Sequence, residues 1–117
     1  TLQDSLSAYD IRHSYGTLIT DNHSIQINDD YYSTGNGLRH LDFGSSTIYM
    51  TGSSLPYFSI QESNVTADLD STTIIYNSNS TYYYGRVLNL AHNSGTITLY
   101  KVIFNKSLNN SSIVFPM

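Results

Sequence analysis

The stretch LDFGSSTIYMTGSS at residues 41–54 contains the pattern that decides the predicted fold. Leu41 and Phe43 form one pair of apolar residues two positions apart, and Ile48 and Met50 form another. Because residues i and i+2 of a β-strand point to the same face, each pair predicts a short strand with one buried face. A glycine follows each pair closely and favours a turn. The stretch therefore predicts two short strands joined by a tight connection.

Similar apolar positions recur along the chain in a spacing typical of repeat proteins. They form three series: Leu18, Leu41, Val65, Leu88 and Ile113; then Ile25, Ile48, Ile74 and Ile97; then Phe58, Tyr82 and Phe104. If each repeat is one turn of a coil, the members of a series stack into a common interior. The spacing thus predicts a parallel β-helix, a solenoid of about five turns with a period of about 24 residues. It places Ile48 beside Ile74 and Ile74 beside Ile97. An antiparallel β-sandwich remains the alternative.

The composition agrees with an all-β protein. Ser, Thr and Asn make up 41 of the 117 residues, and these side chains compete with helical hydrogen bonds. Ile, Val, Thr and Tyr, which suit a pleated surface, are abundant.

Five basic residues and a net charge of -4 argue against a nucleic-acid partner. The short apolar runs argue against membrane insertion, and the absence of Cys excludes disulfides and thiolate metal sites.

The segment at residues 1–16 fits the repeat poorly. Leu2, Leu6 and Tyr9 have helical spacing, so this segment is expected to form an N-terminal cap or to continue a strand from upstream. Residues 17–117 are expected to form the solenoid turns, as part of a longer solenoid. Stacked turns would supply the stability that disulfides provide in other secreted proteins.

Few residues suggest catalysis or metal binding. Asp68 and Asp70 would share one face of an extended segment, so they are a candidate carboxylate pair, although solvated turn carboxylates are the commoner case. None of the four His has metal-ligand spacing. A Ca²⁺ site at Asp29, Asp30 and Asn36 has oxygen ligands but lacks the usual acidic spacing. We therefore predict no catalytic residue, no metal and no cofactor.

Tyrosine clusters are the more suggestive feature. Tyr31-Tyr32 and Tyr82-Tyr83-Tyr84 each follow polar stretches, and neighbours in a strand must alternate between inside and outside. An exposed Tyr offers a flat apolar plate with a polar tip, which can stack on a sugar ring or pack against a protein. Arg86 and Arg39 could add planar donors for the carboxylates of acidic sugars. The competing interpretation is that these Tyr are ordinary strand residues. The candidate ligand-binding residues are Tyr83, Arg86, Tyr31, Tyr32, Asp68 and Asp70.

Three stretches, at residues 41–54, 57–67 and 85–107, together resemble the pectate-lyase-like adhesive domain of large surface proteins in lactobacilli and related Gram-positive bacteria. The pattern is an LDFG strand, a strand like YFSIQE, and a strand like TITLYKV after a Gly turn. The resemblance implies a right-handed β-helix without lyase chemistry. True pectate lyases use Ca²⁺-binding Asp residues and a catalytic Arg, for which Asp68, Asp70 and Arg86 are the nearest candidates here.

The resemblance implies a non-enzymatic adhesin module that binds host or matrix polysaccharides or glycoproteins. The module would be secreted and anchored to the cell wall through regions outside this sequence. Two alternatives remain open: a polysaccharide lyase or hydrolase fragment, including a phage tail-spike piece, and a structural biofilm or surface-layer protein. Self-association through the ends of the solenoid is a further expectation.

Overall fold

The computed structural model is all-β, and it describes residues 1–52, 56–61, 64–77, 82–90, 97–105 and 107–114. Side chains are described for these residues apart from 82–86 and 107–114. The described residues form twelve strands: β1 (Leu6–Ala8), β2 (Ile11–His13), β3 (Gly16–Ile19), β4 (Ile25–Ile27), β5 (Asp30–Ser33), β6 (Arg39–Asp42), β7 (Thr47–Met50), β8 (Tyr57–Ile60), β9 (Val65–Tyr76), β10 (Tyr82–Asn89), β11 (Leu99–Phe104) and β12 (Ser107–Val114).

The strands form two sheets, and every strand pair among the described residues is parallel. The seven-stranded sheet has the order β1-β4-β7-β9-β6-β3, with β11 also paired to β9. The five-stranded sheet has the order β12-β10-β8-β5-β2. In the first sheet Leu6, Ile25, Ile48, Ile74 and Val102 are successive lateral partners. Their side chains line one face, because equivalent positions of paired strands project to the same side.

Strand β9 gives the seven-stranded sheet its curled form. Its first residues pair with β6, where Leu41 lies beside Ala67, and its last residues pair with β7, where Ile48 lies beside Ile74. Two preceding strands thus lie along a single long strand. The sheet must bend where β6 ends and β7 begins, and this bend encloses part of the core.

The prediction of a parallel β-helix with about five regular turns is wrong. The described strands form two parallel sheets, one of them curled, and they do not show five turns. The sequence separation of lateral partners in the first sheet also grows steadily, from the pair Leu6–Ile25 to the pair Ile74–Val102, instead of keeping a constant period. The antiparallel sandwich is wrong as well, because the strand pairs are parallel.

Individual registers differ from the predicted series too. Ile74 pairs with Val102 and not with Ile97, and Phe58 pairs with Leu88 and not with Tyr82. The physical reason is that x-apolar-x-apolar alternation repeats at every second residue. The partner of Phe58 is displaced by six residues, an even number that keeps the apolar side chains inside. The partner of Ile74 is displaced by five residues, an odd number, and the register irregularity between Leu99 and Lys101 changes the alternation of β11 so that Val102 faces inward. Connections of variable length then select the actual partner.

The interior contains a cluster of aromatic rings. Tyr31 is stacked on Phe58 with ring centroids 4.7 Å apart and meets the edge of Phe43 at 5.8 Å. All three side chains are completely buried. The buried hydroxyls of Thr20 and Ser46 are paired: Thr20 Oγ1 lies 2.6 Å from Ser46 Oγ and donates to the carbonyl oxygen of Phe43 at 3.0 Å. This pairing removes most of the cost of burying those polar groups.

Arg39 is also completely buried, although its charge suggested a ligand contact. Its guanidinium donates to the carbonyl oxygens of Gly35 (3.0 Å), Gly37 (3.3 Å) and Gln61 (3.0 Å), and to Ser33 Oγ (3.1 Å). The planar donor set of Arg can satisfy several carbonyls at once. Arg39 therefore connects the glycine-containing turn at residues 35–37 to β5 and to Gln61, the residue after β8, and it offers no surface for a sugar.

The N-terminal segment, residues 1–16, contains β1, β2 and the start of β3. The helical spacing of Leu2, Leu6 and Tyr9 does not produce a helix, because Leu6 and Ala8 pair in register with Ile25 and Ile27. The backbone N–H of Leu2 donates to the carbonyl oxygen of Ile19 at 2.9 Å.

Within the described residues, no helix has the length and apolar character needed to cross a membrane.

Candidate functional site

Strand β5 carries neighbouring tyrosines to opposite sides of the five-stranded sheet. Tyr31 and Ser33 point into the core and are buried, whereas Asp30 and Tyr32 point outward and are half-buried. On the adjacent strand β2, Arg12 is exposed and pairs laterally with Tyr32. Because paired positions project to the same side, Arg12 and Tyr32 meet on the outer face.

These two side chains form one wall of a cleft of about 250 Å³. The Arg12 guanidinium carbon lies 4.9 Å from the centroid of the Tyr32 ring, which is the geometry of a cation–π contact. The remaining lining residues are His13, Ser14 and Thr34. We call this the Arg12 cleft. It combines an aromatic ring, a planar cation, an imidazole and two hydroxyls.

A second ring fixes the orientation of Tyr32. Tyr57, on β8, meets Tyr32 edge to face with ring centroids 5.4 Å apart. Burial, followed by the nearby Asp30 carboxylate, raises the pKa of Tyr32. The Tyr32 phenol therefore keeps its proton at neutral pH and can both donate and accept a hydrogen bond.

His13 lines the cleft and hydrogen-bonds to the backbone. Its Nε2 lies 3.1 Å from the carbonyl oxygen of Gly16, and since a carbonyl can only accept, Nε2 carries the proton. Burial, the largest cause, lowers the pKa of His13, and the Arg39 charge lowers it further. A side chain at Gly37 would collide with the carbonyl oxygen of Ser14, so only glycine lets the turn pack this closely on the cleft.

Three carboxylates lie beside Tyr57 and Tyr32 on the same face. One oxygen from each of Asp10, Asp29 and Asp30 falls within 4.8 Å of the others. Two of them also accept backbone hydrogen bonds: Asp30 Oδ1 from the Tyr57 N–H at 3.0 Å, and Asp10 Oδ1 from the Asp30 N–H at 3.1 Å. Burial, and then the charge of Asp29, raises the pKa of Asp30. The chemistry of the group suits a hard cation.

The Ca²⁺ ligands considered from the sequence are only partly together. Asp29 and Asp30 belong to this acidic group, and Asp10 joins them from the neighbouring strand region. Asn36 lies in a different turn, where its carbonyl oxygen accepts from the Asn64 side-chain amide at 3.1 Å. Local spacing in the sequence could not bring in Asp10, because it reaches Asp30 only through the pairing of β2 with β5.

The sequence-predicted ligand residues have different positions. Tyr32 lines the Arg12 cleft, whereas Tyr31 is in the core and has no exposed face. Asp68 and Asp70 are exposed on β9, and the Asp70 N–H donates to Asp68 Oδ1 at 3.2 Å. Neither lines the Arg12 cleft.

Two further candidates lie on β10. The backbones of Tyr83 and Arg86 pair with Leu108 and Ser112 of β12. Their side chains lie outside the described part of the structure.

Sequence reasoning missed Arg12, His13 and Tyr57. The alternation of Ile11 and Arg12 would have marked Arg12 as outward, but nothing in the sequence pairs β2 with β5.

No protein-family model, no curated protein and no solved structure matches this chain.

Proposed function

We propose that this chain is a non-enzymatic binding module of a cell-surface adhesin, which holds host or matrix glycans or glycoproteins in the Arg12 cleft. The observation that carries the proposal is the contact of Arg12 with Tyr32 at the wall of a cleft of about 250 Å³. The surface location rests on the resemblance of residues 41–54, 57–67 and 85–107 to bacterial adhesive domains.

The chemistry of the cleft suits a sugar that carries a carboxylate. Tyr32 provides a flat apolar surface for a ring, and Ser14 and Thr34 provide hydroxyls that can both donate and accept. In the described part of the chain no carboxylate forms an ion pair with Arg12. Its guanidinium can therefore make a bidentate contact with a ligand carboxylate.

A binding role is favoured over glycoside cleavage by what lines the cleft. Hydrolysis needs two carboxyl groups placed about 5–10 Å apart across the scissile bond. The five residues that line the Arg12 cleft include no carboxylate. The acidic group of Asp10, Asp29 and Asp30 is not part of that lining.

The test is binding to immobilised mucin before and after sialidase treatment, which removes the carboxylate-bearing terminal sugars. We expect Arg12→Ala to weaken binding to intact mucin about ten- to a hundredfold, because a charge-assisted contact is worth about 1.5–3 kcal/mol. The same variant should change binding to treated mucin little. Tyr32→Ala should weaken binding to intact and to treated mucin, because it removes the aromatic ring on which a sugar would stack.

Lys101→Ala and Tyr100→Ala are the matched controls, since both residues are exposed on β11 in the other sheet. Equal binding by the wild-type chain and the two cleft variants would contradict the proposal, as would failure of the wild-type chain to bind mucin at all. Tyr83→Ala and Arg86→Ala belong in the same series. A loss confined to those two would move the site to β10 and overturn the assignment to the Arg12 cleft.

A further inference from the structure

A second cleft lies on the outer face of the seven-stranded sheet, on the other sheet from the Arg12 cleft. It has a volume of about 230 Å³ and is lined by Ser5, Leu6, Ser7, Ser24, Gln26 and Tyr49. Ser7 pairs with Gln26, and Gln26 pairs with Tyr49, in a continuous lateral row across β1, β4 and β7. Adjacent strands are about 4.8 Å apart, so the three side chains follow each other closely along the face. We call this the Tyr49 cleft.

The lateral row of Ser7, Gln26 and Tyr49 follows from the alternation of side chains between the two faces of each strand. Ile25 and Ile27 point into the core, so Gln26 must point outward, and Ile48 and Met50 force Tyr49 outward in the same way. Tyr49 is 37% exposed, and the next residue in its lateral row is Ile75. The half-buried Ile75 side chain borders the tyrosine on the side away from Gln26. The ring is therefore placed between an amide and an aliphatic neighbour.

The two clefts differ in charge. None of the six residues that line the Tyr49 cleft carries a charge, whereas Arg12 dominates the other cleft. The lining offers one aromatic ring, one amide that donates and accepts, and three serine hydroxyls besides the hydroxyl of Tyr49. This set matches the two sides of a neutral pyranose: an apolar face that packs on a ring, and hydroxyls that hydrogen-bond at its rim. A charged ligand would lose its hydration here without gaining a partner.

We propose that the Tyr49 cleft is a second saccharide site, specific for an uncharged hexose unit. This inference rests on the proposed glycan-binding function. It assigns the binding of an uncharged sugar unit to the seven-stranded sheet. Tyr49 is the stacking residue, and Gln26 holds the hydroxyls. A cleft of about 230 Å³ is smaller than ordinary pockets for drug-sized ligands, so it accommodates a single sugar ring of a longer chain.

The test is an NMR titration of the ¹⁵N-labelled chain with cellotetraose, maltotetraose and β-1,4-galactotetraose, with tetragalacturonate as the acidic comparison. At least one neutral tetrasaccharide should shift the Gln26 side-chain amide and the backbone amides of Ser7 and Tyr49. Tetragalacturonate should leave these signals in place. Tyr49→Ala should weaken the neutral interaction about tenfold, and Tyr49→Phe should retain most of it, because the ring and not the hydroxyl provides the plate.

Tyr100→Ala is the control, because Tyr100 is exposed outside the cleft, and its affinity should equal that of the wild-type chain. Urea unfolding of each variant separates a binding defect from a folding defect. If none of the neutral tetrasaccharides shifts Gln26, or if Tyr49→Ala binds as tightly as the wild type, the inference is overturned. Mucin binding that still depends on Arg12 would leave the proposed function intact in that case. A chain that binds neither mucin nor any tetrasaccharide would overturn both.

Discussion

The interior beneath β5 and the outer face above it each contain a tyrosine and an arginine, which are buried in the interior and solvent-accessible on the outer face. Inside, Tyr31 is stacked in an aromatic cluster, and Arg39 donates to backbone carbonyls. Outside, Tyr32 and Arg12 contact each other at the edge of a cleft. The comparison teaches that residue type alone does not identify a binding residue. An arginine or tyrosine in this chain serves the fold or the surface according to the face on which its strand places it.

The largest expected difference is between the two adjacent tyrosines. Tyr31→Ala should lower the free energy of unfolding by about 3–5 kcal/mol, because it removes a fully buried ring and leaves a cavity. Tyr32→Ala should lower it by about 1–2 kcal/mol, since the half-buried ring loses its edge contact with Tyr57 and its cation–π contact with Arg12. Urea denaturation measures both. Similar losses of stability in the two variants would contradict the assignment of Tyr31 to the core and of Tyr32 to the outer face.

The two arginines provide the next largest contrast. Arg39→Met should cost about 3 kcal/mol or more, because it removes the hydrogen bonds that the buried Arg39 side chain donates to the carbonyl oxygens of Gly37 and Gln61. Arg12→Met should cost about 0.5–1 kcal/mol, the value of an exposed cation–π contact. The midpoint of thermal unfolding compares them directly. Equal stability of the two variants would show that the buried hydrogen bonds of Arg39 contribute little.

The smallest expected effect concerns Asp30 and depends on pH. Its pKa in the folded chain is raised, mainly by burial and then by Asp29, so the folded state favours the protonated form. The stability that this carboxyl contributes is therefore present at low pH and is lost as pH rises through its folded pKa. Asp30→Asn should be slightly more stable than the wild type at pH 7. The gain should disappear below about pH 4, where both unfolded chains carry a neutral side chain at this position.

Asn at this position can still accept the Tyr57 N–H through its carbonyl oxygen, so the substitution isolates the charge. Asp70→Asn, on the exposed face of β9, is the matched control. Unfolding midpoints at about pH 3 and at pH 7 make the measurement. A loss of stability in Asp30→Asn at pH 7 would mean that the ionised carboxylate is stabilised by a favourable contact, contrary to the direction of its pKa.

Part of the fold could be predicted from single residues. Alternation correctly placed Leu41, Ile48 and Ile74 inside, because side-chain direction in a strand follows from parity alone. The adjacency of Ile48 and Ile74 also agrees with the spacing of their series. The later registers could not be predicted, because β9 pairs with two earlier strands and also with β11.

The candidate site was less accessible to sequence reasoning. Tyr32 was among the predicted ligand residues, but Tyr31 beside it was indistinguishable, since either tyrosine could have been the outward one. Arg12 and Tyr57 are far apart in the sequence, yet both contact the Tyr32 ring, one from each neighbouring strand. Only strand pairing brings them there.

By itself, the sequence determined the strand content, the inward residues of most early strands and the scarcity of charge. These depend on local propensity and on alternation at every second residue, which neighbouring residues reveal. Only the tertiary structure decided which strands became neighbours. An even shift in register keeps apolar residues facing inward, and an irregularity such as the one between Leu99 and Lys101 changes the alternation within β11. The tertiary structure thereby decided that Arg39 would be enclosed, that Arg12 would meet Tyr32, and that the two clefts would have different charge.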